Sequence, residues 1–484
     1  MTALLCSLAS ALLFFVALGT PDVGLLAWVA PVPILWLAFG GDAWPRVAIA
    51  SVAAYTLGQL GMLWPYLDAM GPLVLAIALG PALVFALVVL AARRAARTLP
   101  ALAAVLVFPG LWTGWEWLEA TLSPHGTFGA WAYSQVSTPL LIQGASVLGL
   151  WIVSFTIAAF AAGVALALRR RTIAPFIPGG ALLLASVAFG AWRMNTPRGD
   201  TMRVAASARE HADDIPPDSV ARAEAAEARR LASAGARIVV FDEKAALLPR
   251  ERRDTVLAPL VAAARETGNT IVDGFDETGA ERRNAAYTIG ADGRVRTYTK
   301  RHHIPGLESG YTIGDRPGLL GAGEAVAICK DMDFQSTLRG DANAGTVGLM
   351  LVPAWDFHAD GWLHARMAIV RGVEGGYAIV RAASDGVLTV SDARGRLLAM
   401  TPNGSASYAS AIADVPIGRG STSYLWIGDA FAWIVGAMGI VLVLWSATFG
   451  GGRCDELLKP SVRNGASRGE RGGSTAGAAI DAQR

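Results

Sequence analysis

Residues 174–200 read APFIPGGALLLASVAFGAWRMNTPRGD, and this stretch decides the fold class. No charged side chain occurs from 174 to 192, long enough for a helix to cross the ~30 Å hydrocarbon core of a bilayer. Arg193, Arg198 and Asp200 then end the apolar run and open a segment of mixed polarity that continues to about residue 425. The chain therefore leaves a membrane here and builds a domain in water.

Working outward, further apolar runs place spans at 2–19, 23–40, 46–64, 71–92, 101–119 and 139–168 before the run 174–193, with one more at 427–449. That makes about eight spans. The first run lacks a positive n-region and is followed at once by others, so it is expected to be retained rather than cleaved. Only 17% of the 484 residues are charged and 53% are hydrophobic, whereas a soluble chain carries about a quarter charged. A net charge of +2 and the absence of a basic-aromatic groove pattern exclude a nucleic-acid binder. Neither a CxxC pair nor a Cys/His cluster suggests a metal, and no cofactor is expected.

Arg46, then Arg93, Arg94 and Arg97, then Arg169, Arg170 and Arg171 fall in alternate loops, and Arg453, Lys459 and Arg463 follow the last span. The intervening loops, including residues 119–138, hold no Lys or Arg. Eight spans with both termini cytoplasmic put every basic cluster inside. Residues 194–425 then lie on the extracytoplasmic face. The expected organisation is a transmembrane domain (1–193), an extracytoplasmic domain (194–425), a final span (426–449) and a polar, disordered tail (450–484).

Within 194–425, short β-rich runs (237–241, 270–273, 325–329, 347–352, 377–381, 387–391) alternate with helical ones (219–234, 251–267). Such alternation indicates an α/β domain around a central sheet. Cys329 ends one of the runs and is the only cysteine in the domain; Cys6 lies in the first span and Cys454 in the tail. With no disulfide partner in its compartment, Cys329 is either a buried inert thiol or a reactive one. Lys300 follows an Asp292-Gly293 hairpin turn, where a lysine is most often a solvated surface charge. Glu243 sits just past a buried strand, where α/β folds carry functional groups and where helix caps also occur. Together, a carboxylate to take the thiol proton, a cation for the oxyanion and a thiol nucleophile suit acyl transfer.

The ordered trio Glu243, Lys300 and Cys329 resembles the nitrilase (carbon–nitrogen hydrolase) superfamily. Nearly the whole chain before the tail resembles the bacterial apolipoprotein N-acyltransferase family. WTGWEWLE (112–119), GAWAYSQ (129–135) with Pro139-Leu140, and KRHHIPGLE (300–308) carry the likeness, as do Trp362, His364, Met367, Arg371, Glu374, Ser423-Tyr424 and Gly428-Asp429. The resemblance implies an α-helical transmembrane bundle joined to a nitrilase-like α-β-β-α sandwich in the inner membrane. It implies Cys329 as nucleophile, Glu243 as general base, Lys300 as oxyanion stabiliser and Glu308 as a supporting carboxylate. The implied substrates are a phospholipid acyl donor and a diacylated lipoprotein acceptor, used in turn through one thioester by a monomeric enzyme in the bilayer.

Three departures stand beside these residues. Lys330-Asp331 replaces the usual Tyr-Glu after the cysteine, Asp242 replaces a Pro, and Val352-Pro353-Ala354 replaces Ser-Asn-Asp. Lys330 is expected to lower the Cys329 pKa and favour thiolate. The departures leave open a membrane-tethered amidase or acyl hydrolase, or a different amine acceptor; a catalytically dead scaffold is the third reading. Trp112, Trp115, Trp117 and Trp131 read as an interfacial aromatic belt, or else as a wall of a lipid cleft. Glu116, if it faces hydrocarbon, reads as functional.

Overall fold

In the computed structural model the described residues are 1–448 apart from 197–198, 212–214, 405–406 and 419. The expectations for the tail, including Arg453, Cys454, Lys459 and Arg463, lie outside them.

Among the described residues, six helices are long and apolar enough to cross a membrane: Trp44–Met70, Leu73–Thr98, Ala101–Leu122, Leu150–Arg170, Phe176–Asn195 and Ala430–Thr448. Thr2–Leu18, Gly24–Ala38 and Pro139–Leu148 are shorter apolar helices. The differences from the expected spans have local causes. The run 139–168 breaks at Gly149, which adopts φ +71°. The run 23–40 splits into a 3-10 turn, Gly24–Trp28, and a helix, Val32–Ala38, with Pro31 as its N-cap, because proline supplies no N–H for a continuous ladder. The last helix lies tightly on Val107–Leu122: a Cβ on Gly114 would meet the Gly436 Cα at 2.9 Å. Small residues of this kind let two membrane helices approach.

Arginines from the last turns of helices Leu73–Thr98 and Leu150–Arg170 meet backbone carbonyls at one end of the bundle. Arg93 donates to the carbonyl of Ala38 at 2.8 Å, Arg97 to that of Gly40 at 2.9 Å, Arg169 to that of Trp36 at 2.7 Å and Arg170 to that of Ala96 at 2.7 Å. The bundle interior is aromatic. Phe14, Tyr55, Phe85, Trp112 and Trp131 pack with ring centroids 4.7–6.5 Å apart. Trp112 and Trp131 are thus core residues, which corrects the interfacial-belt reading for those two. Glu116 is buried beside them and accepts the Trp131 backbone N–H at 2.9 Å, so its carboxylate fixes the turn that brings Trp131 inward.

The extramembrane part contains two sheets. The first runs in spatial order Ala409–Pro416, Thr201–Ala208, Ile238–Val240, Thr270–Thr278, Arg283–Ile289 and Val295–Thr299, with Leu247–Pro249 paired to Thr270–Thr278. The second runs Leu397–Pro402, Val387–Ser391, Ala378–Ser384, Leu349–Trp355, Glu324–Val326 and Leu319–Gly321. Alternate residues of both sheets, such as Val204, Val240, Val272, Val326, Leu351 and Val380, form one apolar layer between them. The outer face of the first sheet (Val239, Phe241, Ile271) packs on helices Pro217–Ser233 and Arg253–Thr267. The outer face of the second (Met350, Val352, Ile379) packs against Leu338 and Ala342 of Gln335–Ala344 and Ala368 of Gly361–Gly375. This is the α-β-β-α sandwich the sequence implied.

Thr201 pairs with Pro416 in antiparallel register, so the chain enters and leaves the sandwich at the same edge. Helix Gly361–Gly375 also binds the membrane bundle. Trp362 and Arg366 each donate to Asp22 at 2.7 Å, Arg371 donates to the Tyr133 hydroxyl at 2.6 Å, and Glu374 accepts the Leu150 N–H at 2.7 Å. Tyr66 donates to Asp360 at 2.7 Å. The sandwich is therefore held to the membrane helices by buried polar contacts as well as by its two chain connections.

Candidate active site

Strand direction brings the chemistry to one edge. Ile238–Val240 and Thr270–Thr278 run parallel, and Val295–Thr299 returns to the same sense after the Arg283–Ile289 hairpin strand. Glu243 and Lys300 therefore emerge from strand ends on the same side. Cys329 follows Glu324–Val326 of the second sheet. At this edge the Glu243 N–H donates to the Ala354 carbonyl at 3.2 Å and Cys329 Sγ lies 3.5 Å from the Trp355 carbonyl.

Cys329 opens a 3-10 turn, Cys329–Asp333, with φ +35°. A side chain in that region is strained, and such strain collects at functional sites. The turn is tied down by Asp331. Its carboxylate accepts the Ile328 N–H at 3.0 Å, the Tyr298 hydroxyl at 2.7 Å and the His302 N–H at 2.9 Å. One departure from the family pattern is thus a brace between the cysteine turn and the loop after Lys300.

Lys300 is fully buried, and Nζ donates to Glu243 at 2.7 Å and to Glu308 at 3.0 Å. Burial disfavours its charge, yet the two carboxylates raise its pKa above the usual lysine value. Glu308 is bound on its other oxygen by Lys244 at 2.8 Å, and accepts the Ile304 N–H at 2.8 Å. Against the push of burial, Lys300 and Lys244 hold the Glu308 carboxyl down to about 2. Asn284 donates its amide to Glu243 at 2.5 Å and to Glu308 at 2.7 Å. Burial pushes the Cys329 thiol well up, the Glu243 charge adds to this, and Lys300 and Arg381 oppose it. Burial and the Glu243 charge thus favour the thiol form of Cys329 over the thiolate.

The structure thus brings all four expected residues together: Glu243, Lys300, Glu308 and Cys329. The expectation for Lys330 fails. Its Nζ pairs with Asp333 at 3.0 Å, and the groups that shift the thiol are Glu243, Lys300, Arg381 and Asp356. Among the other departures, Ala354 contributes a backbone carbonyl, which any residue supplies. Asp242 joins a separate buried group with Asp273 and Glu224. Sequence reasoning missed Asn284, Lys244 and the Arg381–Asp356 pair (2.9 Å through Nη1). Arg381 sits inside a strand that reads as core, and Lys244 reads as an ordinary charge in a turn. No group of three metal-ligating side chains exists among the described residues.

A membrane-helix bundle carrying an α-β-β-α domain with a buried cysteine, ammonium and carboxylate at one sheet edge defines a membrane enzyme with a thiol centre. A family profile described as apolipoprotein N-acyltransferase N-terminal domain matches residues 10–163. The apolipoprotein N-acyltransferase of Geobacter metallireducens is 26% identical over 89% of this chain and 92% of its own. That of Gloeobacter violaceus is 27% identical over 86% and 89%. Over nearly nine-tenths of its length the chain is thus similar to apolipoprotein N-acyltransferases. Among solved structures, an amidase from Nesterenkonia sp. aligns over 50% of this chain and 98% of its own, at 21% identity and a TM-score of 0.40.

Proposed function

We propose that this protein is an apolipoprotein N-acyltransferase that moves a phospholipid acyl chain, through a thioester on Cys329, to the α-amine of a diacylglyceryl-cysteine lipoprotein. The observation that carries the reading is the buried Glu243–Lys300 pair beside the Cys329 thiol, in a domain bound to membrane helices. Glu243 takes the thiol proton as Sγ attacks the donor ester. The oxyanion develops where Lys300 Nζ supplies a positive charge. Collapse expels lysophospholipid, whose alkoxide takes the proton back from Glu243. The acceptor amine then attacks the thioester, its proton passes to Glu243, and the Cys329 thiolate leaves and is reprotonated.

Lipid substrates fit the surroundings. The loop after Lys300 exposes Leu307 and Ile313, and the short strand after Lys244 exposes Leu247. Drawing an acyl chain into water costs ~0.8 kcal/mol per CH₂, so a site fixed to the bilayer reaches its donor without that penalty. The bundle is read as eight spans, counting Thr2–Leu18 and Gly24–Ala38 with the six longer helices. The convergence of Arg93, Arg97, Arg169 and Arg170 at one end supports a cytoplasmic location for that end. Both termini then lie inside and the catalytic domain, read as residues 194–425, lies on the periplasmic face of the inner membrane.

Purified enzyme given phospholipid and a diacylated lipopeptide is expected to yield lysophospholipid and triacylated peptide in equal amounts. Lysophospholipid with free fatty acid and unmodified peptide would instead identify an acyl hydrolase.

A further inference from the structure

Lys244 follows Glu243 directly and adopts φ +55°, a left-handed conformation that is strained for a residue with a side chain. That backbone turn accompanies a side chain aimed back into the site. Lys244 Nζ meets Glu308 at 2.8 Å, with side-chain exposures of 10% and 0%. It also lies 4.6 Å from the Tyr311 ring centroid and 5.8 Å from that of Trp355. The result is an unbroken buried chain of four alternating charges, Glu243–Lys300–Glu308–Lys244, with links of 2.7, 3.0 and 2.8 Å.

The formal charge of that chain is zero. Glu243, Lys300 and Glu308 alone would carry one net negative charge, buried against a thiol that must itself become negative during reaction. A buried excess charge is relieved by taking up a proton, and a proton taken up here removes base capacity beside Cys329. The nearby cations are already paired, and the nearby carboxylate of Asp331 is held by hydrogen bonds rather than by an ion pair. Arg381 pairs with Asp356, Arg282 with Asp276 and Arg301 with Asp341, while Asp331 accepts from Tyr298. His303 lies on the same loop as Glu308, and burial, Lys300 and Lys244 lower its pKa while Glu308 and Asp331 oppose them.

We propose that Lys244 is the positioning cation that neutralises the Glu243–Lys300–Glu308 cluster, keeping a proton-free carboxylate available to Cys329 at neutral pH. Lys244 touches no reacting atom; it acts through Glu308. The inference rests on the catalytic reading above.

The test is the pH profile of acyl-thioester formation on Cys329, followed by intact mass after mixing full-length enzyme in detergent with phosphatidylethanolamine. Lys244→Met is expected to move the acid limb up by at least one pH unit, a loss that approaches about tenfold per unit of displacement below the limb and largely recovers above pH 8. Lys244→Arg should keep the wild-type limb. Lys244→Met/Glu308→Gln, which again sums to zero, should return the limb toward its original position even if its plateau rate is lower. A Lys244→Met limb unchanged from wild type, or a double variant whose limb stays displaced, overturns the proposal. Failure of wild type itself to form a Cys329 thioester would instead overturn the catalytic reading. Thermal unfolding of each variant separates loss of fold from loss of base.

Discussion

Asp242 and Glu243 are adjacent in the chain and both are 2% exposed, yet they belong to two buried clusters with opposite electrostatics. Glu243 meets Lys300 and stands in a run of alternating charges. Asp242 faces Asp273 and Glu224, and its carboxyl is pushed up to about 8, by burial first and then by the Asp273 charge. Burial raises Asp273 to about 7, and burial and Asp273 raise Glu224 well above the carboxylate range. Equal burial therefore gives different chemistry. Carboxyls packed with one another are pushed toward the protonated form, whereas an ammonium at hydrogen-bond distance favours the carboxylate.

Substituting across that one-residue boundary sharpens the contrast. Glu243→Gln removes the proton acceptor and should slow thioester formation by about 10²–10⁴-fold, while Asp242→Asn should leave that rate within a few-fold of wild type. Stopped reactions read by intact mass give both numbers, and equal losses for the two variants would erase the distinction. Lys300→Met should come next. It leaves the Glu243 carboxylate buried without its cation, at a cost of about 3–5 kcal/mol, visible as a lowered Tm together with loss of turnover. A Lys300→Met protein as stable as wild type would mean that the ion pair is not held in the folded enzyme.

The smallest effect concerns pH and stability. Asp242, Asp273 and Glu224 have raised values in the folded state, so between about pH 4 and pH 8 the folded chain holds protons that the unfolded chain has released. Folding is then favoured at the acid end of this window, and this contribution declines as pH rises through the folded values. Tm measured in detergent should fall from pH 5.5 to pH 8.5, and Asp242→Asn should make that slope shallower. A slope unchanged by Asp242→Asn would remove this group from the balance.

Much of this was legible in residue order. Apolar runs and loop arginines gave the membrane helices, and strand–helix alternation gave the α/β domain. The strand ends at Glu243, Lys300 and Cys329 marked the site, because parallel strands must deliver their C-terminal ends to one edge. What stayed hidden depends on three-dimensional approach. Lys244 and Glu308 are 64 positions apart, and only the fold sets them 2.8 Å apart. Lys330 lies next to Cys329 in sequence, yet Asp333 holds its ammonium. The tryptophans at 112 and 131 read as surface anchors because sequence shows composition, while the buried contacts of Trp131 with Glu116 and Tyr55 form only in the fold. Chain breaks at Gly149 and at Pro31 shortened two expected spans, since an apolar run does not reveal where its helix is interrupted.

The central claim is that a base-assisted Cys329 thiol carries the acyl group, and the direct measurement is peptide mapping of enzyme incubated with phospholipid and no acceptor. Wild type should carry one acyl chain on Cys329, released by hydroxylamine and discharged by added diacylated lipopeptide, and Cys329→Ala should carry none. Acylation at another residue, or triacylated peptide made by Cys329→Ala, would contradict the account.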